Sequence, residues 1–75
     1  MAHQGVQLAQ IEQIFVILDR LGISREAVVI PLRPQGTGNV RTLQNGKLEI
    51  VVPEDTSFEQ WYASLEGIIQ QLYTP

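Results

Sequence analysis

The sequence contains one histidine and eight acidic residues, the groups that could transfer protons or bind a metal ion. His3 lies near the chain start, where no predicted element would hold it. A catalytic triad would need this histidine as its base, and a structural zinc site would need about four ligands. The absence of cysteine also removes disulfides and thiolate ligands. We therefore expect no catalytic residue, no metal site and no cofactor.

Two further patterns are similar to binding motifs but fit ordinary structure better. Residues 36–38 read Gly-Thr-Gly, but a phosphate-binding loop needs Gly-Lys-Ser/Thr leading into a helix, and here a strand follows. Glu54, Asp55 and Glu59 cluster at a predicted helix start, where carboxylates stabilise the positive end of the helix dipole. We interpret the first pattern as an ordinary loop and the second as helix capping.

The basic side chains all lie in the middle of the chain, between residues 20 and 47. Arg33, Arg41 and Lys47 fall in a predicted loop and hairpin and could bind an anionic ligand or nucleic acid. The net charge of −3 argues against nucleic acid as the partner, because nucleic-acid-binding domains usually carry a dense basic patch. Binding of an anion or nucleic acid is therefore the alternative function. Packing of the basic middle against the acidic ends would also explain the charge pattern.

Two segments repeat apolar residues at steps of three and four, which is the stripe of an amphipathic helix. The first covers residues 6–21 and precedes Gly22, a residue that can adopt the positive φ of a helix C-terminus. The second follows the capping-box pattern from Thr56 to Glu59 and continues to about Tyr73.

Three segments between these helices are rich in β-branched residues and predict strands. The first, residues 27–32, contains Pro31, which cannot donate a ladder hydrogen bond and favours an edge position. The pattern does not decide which of the other strands lies beside it. The predicted fold is α+β with two layers, in which the N-terminal and C-terminal helices cover one face of a three-stranded antiparallel sheet.

The dipeptide Asn45-Gly46 predicts a hairpin between the second and third strands, with a two-residue type I′ turn. This turn pairs Arg41 with Ile50 and places both on the core face, whereas Val40 and Val51 share the opposite face. An arginine on the core face would reach solvent at the end of the sheet, or pair with an acidic side chain of the second helix at a functional cleft.

The chain is expected to form one domain over residues 1–75, with a flexible tail at 1–5 and a mobile loop at 33–39. No stretch approaches the ~20 apolar residues of a membrane span. The first residues show no basic flank or apolar run of a signal peptide. We therefore expect a cytoplasmic protein that does not associate with membranes.

The sheet face left uncovered by the helices is the predicted interaction surface. Its residues are an apolar centre and a polar rim: Val29, Pro31, Val40, Val51, Thr42 and Glu49. Such a patch is typical of an interface, although single surface valines are common in strands. We predict a small non-enzymatic interaction or regulatory domain that forms a homodimer or docks on a larger protein. Strand addition at a sheet edge is a second mode of association. A third reading of the function is an enzyme, or an enzyme subunit, whose site is completed by a partner.

Overall fold

The computed structural model describes residues 5–73, and within them the two amphipathic segments form the two predicted helices. The elements, in chain order, are α1 (Leu8–Leu21), a 3-10 turn (Arg25–Ala27), β1 (Val28–Val29), β2 (Asn39–Thr42), β3 (Leu48–Val51) and α2 (Phe58–Leu72). His3 and most of the predicted tail lie outside the described residues. The α+β class and the placement of the helices at the two ends of the element order are confirmed.

The helix boundaries follow from local capping. Gly22 ends α1 with φ of 74°, as the sequence predicts, and the N–H of Ile23 donates to the carbonyl of Leu18 at 2.8 Å. Ser57 is the N-cap of α2, and its hydroxyl accepts from the N–H of Gln60 at 3.5 Å. The capping box predicted from Thr56 was therefore wrong by one residue.

The sheet is mixed, so the prediction of a purely antiparallel sheet is wrong for β1. The strand order is β1-β3-β2, with β3 in the centre. β1 pairs with β3 in parallel, and β2 pairs with β3 antiparallel. β1 and β2 run in opposite directions on the two edges, so the central strand β3 must be parallel to one of them. The edge position predicted for β1 from Pro31 is confirmed.

The register of the β2–β3 hairpin differs from the prediction by one residue. Arg41 lies opposite Glu49, and Val40 lies opposite Ile50. Gly46 has φ of 85°, but no residue other than glycine has a positive φ among those described, so Asn45 does not form the predicted type I′ turn. The N–H of Gly46 instead donates to the carbonyl of Leu43 at 3.0 Å, which gives a three-residue loop.

This shift by one residue exchanges the two faces of β2. Val40 now packs against the core, and Arg41 is exposed on the face that the helices leave open. The alternative register would have placed a guanidinium beside buried apolar side chains, where an unpaired charge is costly. The predicted position of Arg41 on the core face is therefore wrong.

The core lies between the two helices and the inward side of β3. Its largest fully buried side chains are Ile14, Ile17, Leu18, Leu48, Ile50, Val52, Leu65 and Ile69. The helices run in the same direction, because Tyr62 donates its hydroxyl hydrogen to the carbonyl of Gln13 and Glu66 pairs with Arg20. Both helices therefore end near the same end of the sheet.

Candidate functional site

The outer edge of β2 is one of the two edges of the three-stranded sheet. β2 pairs with β3 on one side and with no other described strand on its other side. The opposite edge is partly engaged just beyond β1, where the N–H of Val6 donates to the carbonyl of Leu32 at 2.9 Å. A free strand edge can accept a further strand by main-chain hydrogen bonding.

The hairpin geometry shows which groups of β2 point outward. The N–H of Leu43 donates to the carbonyl of Lys47 at 2.7 Å, so this position is a hydrogen-bonded pair. Hydrogen-bonded and non-hydrogen-bonded pairs alternate along an antiparallel ladder. Arg41 therefore bonds to β3, whereas Val40 and Thr42 direct their N–H and C=O groups away from it, towards the free edge.

An apolar flank of α2 lies along the same edge. Trp61 marks the start of this flank, because a Cβ placed on Gly38, directly before β2, would lie 2.8 Å from its Nε1. Ile68 follows Trp61 by two helical turns and lies on the same side of α2. Ile68 is 37% exposed and Leu72 is 43% exposed, which is high for apolar residues of this size.

The opposite flank of α2 faces α1, which confirms where Ile68 points. Tyr62 and Glu66 both contact α1, through a hydrogen bond of 2.7 Å and an ion pair of 2.7 Å. At 100° per residue, these two side chains lie on one side of the buried stripe, and Ile68 lies on the other. We call the outward groups of Val40 and Thr42, together with Ile68 and Leu72, the edge surface.

The charges on β2 and on the later turns of α2 are paired. From its second turn onward α2 carries one charged residue, Glu66, and this residue is bound to Arg20. β2 carries one charged residue, Arg41, whose Nε donates to Glu49 at 2.6 Å. The edge surface is therefore close to neutral although the chain has a net charge of −3.

The structure does not assemble the predicted apolar patch on the open sheet face. Val40 faces the core, and Val51 is only 9% exposed beside the glycine loop of residues 35–38. Val29 is 37% exposed, but its neighbour in the ladder is Glu49, which is bound to Arg41. An ion pair therefore occupies the centre of this face.

The remaining predicted interface residues lie near the margins of the sheet. Pro31 is half-buried beyond the end of β1. Thr42 is exposed, but the register places it opposite Leu48 on the helix side rather than on the open face. The assignment of Thr42 and Val40 to the open face is wrong because the hairpin loop has three residues instead of two.

The three cations predicted to bind an anion are separated. Lys47 precedes β3, whereas Arg33 lies near its far end, since the N–H of Gln35 donates to the carbonyl of Val52 at 2.9 Å. At roughly 3.3 Å per residue, the length of β3 separates these two positions by roughly 15 Å. Arg41 is bound to Glu49, so the structure does not bring the three side chains to one site.

The predicted loop of residues 33–39 is bonded to the segment after β3. The carbonyl of Gly36 accepts from the N–H groups of both Glu54 and Asp55, at 2.9 and 3.0 Å. Gly38 has φ of 81°, and its α-carbon approaches Trp61 and the carbonyl of Val51 so closely that a side chain would collide with them. This loop therefore fixes Trp61 at the start of the edge surface.

A hollow of about 350 Å³ lies where the two helices end, lined by Leu21, Gly22, Ile23, Ile69, Gln70 and Tyr73. Its walls are mostly apolar and offer no pair of groups suited to proton transfer. Within residues 5–73 there is no group of three or more His, Cys, Asp or Glu side chains that could hold a metal ion. Neither described helix has the length and apolar composition needed to cross a bilayer.

Comparisons with protein-family models, with curated proteins and with solved structures give no match for this chain.

The edge surface was missed from sequence because Ile68 and Leu72 belong to the apolar stripe of α2. The stripe runs from Phe58 to Leu72 and spans an arc wider than one flank of a narrow sheet can cover. That width is the signal in the sequence that some of its members must stay exposed.

Proposed function

We propose that this chain is a small non-enzymatic protein-interaction domain that binds its partner through the edge surface. The observation that carries the proposal is that β2 has a free edge and that α2, which packs against β2, exposes Ile68 and Leu72. The proposal keeps the interaction role expected from the sequence and moves it from the open sheet face to the edge. It also keeps the cytoplasm as the compartment, which agrees with a chain free of cysteine.

Strand addition explains how such a surface binds. An extended segment that pairs with β2 would satisfy the outward groups of Val40 and Thr42 by main-chain hydrogen bonds, which contribute affinity. Its side chains would alternate between the two faces of the extended sheet. Those on the helix side would contact Ile68 and Leu72, so apolar residues are favoured there and give specificity.

The chemistry around the surface supports binding rather than catalysis. The acids on the neighbouring elements, Glu49 and Glu66, are each held by an arginine at 2.6 and 2.7 Å. Both carboxylates are therefore already engaged by a cation. A neutral apolar flank, in contrast, is inexpensive to remove from water.

Site-specific photo-crosslinking tests the proposal. A photoreactive phenylalanine analogue at position 68 should give a discrete covalent adduct in cells that express the chain naturally. The same analogue at position 16 is the matched control, because Val16 is 50% exposed on α1 and lies outside the edge surface. Adducts that form equally from both positions, or none from position 68, would contradict the proposal.

A further inference from the structure

We infer that the occupant of the edge surface is a second copy of this chain, in a twofold homodimer. In this dimer the two β2 strands pair antiparallel, which makes one six-stranded sheet from the two three-stranded sheets. The two α2 helices then meet along the flanks formed by Ile68 and Leu72. The inference rests on the proposed function, because it names the partner that the same surface binds.

Charge favours a second copy at this surface over one elsewhere on the chain. Two copies that each carry a net charge of −3 repel each other wherever unpaired acids would meet. Among the described acids, those without an ion pair are Glu12, Glu26, Glu54, Asp55 and Glu59. They lie on α1, after it, or around the start of α2, and none lies on the flank of Ile68 and Leu72.

The outward groups of β2 also choose the register. A twofold axis at Val40 pairs its N–H and C=O with those of the partner's Val40, because both are outward-pointing groups. Arg41 then lies opposite the partner's Asn39. An axis at Arg41 would instead place like charges directly opposite each other, which is destabilising. An axis at Thr42 also pairs outward-pointing groups, but it would place Val40 opposite the partner's Gln44 in the hairpin loop, so the axis at Val40 pairs more residues of β2.

The layer geometry lets the helices touch when the strands pair. Paired strands lie about 4.8 Å apart. α2 packs against β2, and its fully buried Leu65 belongs to the core that Ile50 of β3 also forms. An α2 axis above the inner side of β2, towards β3, agrees with both observations. Each α2 axis then lies about half a strand spacing further from the twofold axis than its own β2 strand. The two α2 axes are therefore roughly 10 Å apart, which is a normal distance for packed helices.

The size of the contact sets its strength. A 15-residue helix such as α2 is about 22 Å long, and the sheet and helix layers together are about 20 Å thick. This strip is smaller than the ~800 Å² that each partner buries in a typical stable interface. We therefore expect a reversible dimer with a dissociation constant in the micromolar range.

Sedimentation equilibrium of the purified chain across the micromolar range tests the inference. The native chain should dimerise, and Ile68→Glu should weaken dimerisation at least about tenfold by placing like charges in the contact. Thr42→Pro should do the same, since it removes an N–H that points away from β3 and bonds to none of the residues 5–73. Val16→Glu, at an exposed position on α1, should leave the dimer unchanged.

Circular dichroism of the same samples separates loss of association from loss of fold, and both interface variants should keep the native spectrum. The inference is overturned if the native chain is monomeric throughout the range, or if folded Ile68→Glu and Thr42→Pro dimerise like the native chain. It is also overturned if Val29→Glu on the open face abolishes the dimer while Ile68→Glu and Thr42→Pro leave it intact. A monomer that still gives a photo-adduct from position 68 to another protein would refute the dimer and leave the proposed function standing.

Discussion

Arg41 and Glu49 lie at directly opposed positions of β2 and β3, and Nε of the arginine donates to the carboxylate at 2.6 Å. The pair favours the observed register of the hairpin, because a shift by one residue would place Arg41 on the core face. It also fills the centre of the open sheet face with a polar contact. Ile68 and Leu72 are exposed apolar side chains of α2, which packs against β2 and its free edge.

Replacing Gly46 by alanine should destabilise the protein. Gly46 has φ of 85° in the three-residue hairpin loop, a conformation that costs a residue with a Cβ about 1 kcal/mol. Gly67→Ala is the matched control, because its Cβ would meet nothing within 4 Å in the middle of α2. This control should stabilise by about 0.5–1 kcal/mol through helix propensity. Urea unfolding of both variants measures the two effects, and a loss of stability in Gly67→Ala would contradict the placement of that residue.

Gly38→Ala should cost more than Gly46→Ala. Its Cβ would lie 2.8 Å from Nε1 of Trp61 and 3.0 Å from the carbonyl of Val51, in addition to the strain of φ at 81°. We expect a loss of about 2 kcal/mol or more. The fluorescence of Trp61, the one tryptophan in the chain, should shift to longer wavelength because water reaches the displaced ring. A variant with native stability and native emission would show that the loop does not pack on Trp61.

Truncation of α2 should separate its buried side from its exposed flank. Leu65 is fully buried, so Leu65→Ala should lose about 2–5 kcal/mol, enough to unfold much of a domain this small. Leu72 is 43% exposed, so Leu72→Ala should lose less than about 1 kcal/mol of monomer stability. Thermal unfolding at a protein concentration below the dimerisation range measures both. Equal losses would mean that Leu72 belongs to the core.

The alternative function, anion or nucleic-acid binding, is expected to fail in a direct titration. Arg33 and Lys47 lie towards opposite ends of β3, and Arg41 is neutralised by Glu49. We expect no change in fluorescence anisotropy when labelled oligonucleotides are mixed with the chain at low salt. Salt-dependent binding that is lost in an Arg33→Ala, Lys47→Ala double variant would instead favour the alternative.

The local elements of this fold are predictable from sequence because their causes are local. The apolar spacing of α1 and the glycine at position 22 specify the helix and its end within a few residues. The N-cap of α2 was misplaced by one position because Thr56 and Ser57 are both good caps, and only the geometry of the chain after Pro53 decides between them.

The pairing of the strands is less predictable because it depends on contacts distant in sequence. Asn45-Gly46 fits both a two-residue and a three-residue loop, and the choice rests on burying Val40 while exposing Arg41. The parallel alignment of β1 with β3 has no local signal at all. The edge surface depends on both facts, so only the assembled sheet reveals that α2 packs against a strand with a free edge.

Amide hydrogen exchange of Thr42 and Val40, followed by NMR as the chain concentration rises, tests the central claim most directly. Both N–H groups point away from β3, so in the free chain they should exchange faster than the inward amide of Arg41. If a second copy adds to this edge, the exchange of Val40 and Thr42 should slow as the fraction of dimer rises. The amide of Glu12, in the helix α1 and outside the edge surface, should change only through global stability. Exchange at Thr42 and Val40 that stays independent of concentration while dimers form would show that the free edge of β2 is not the interaction surface.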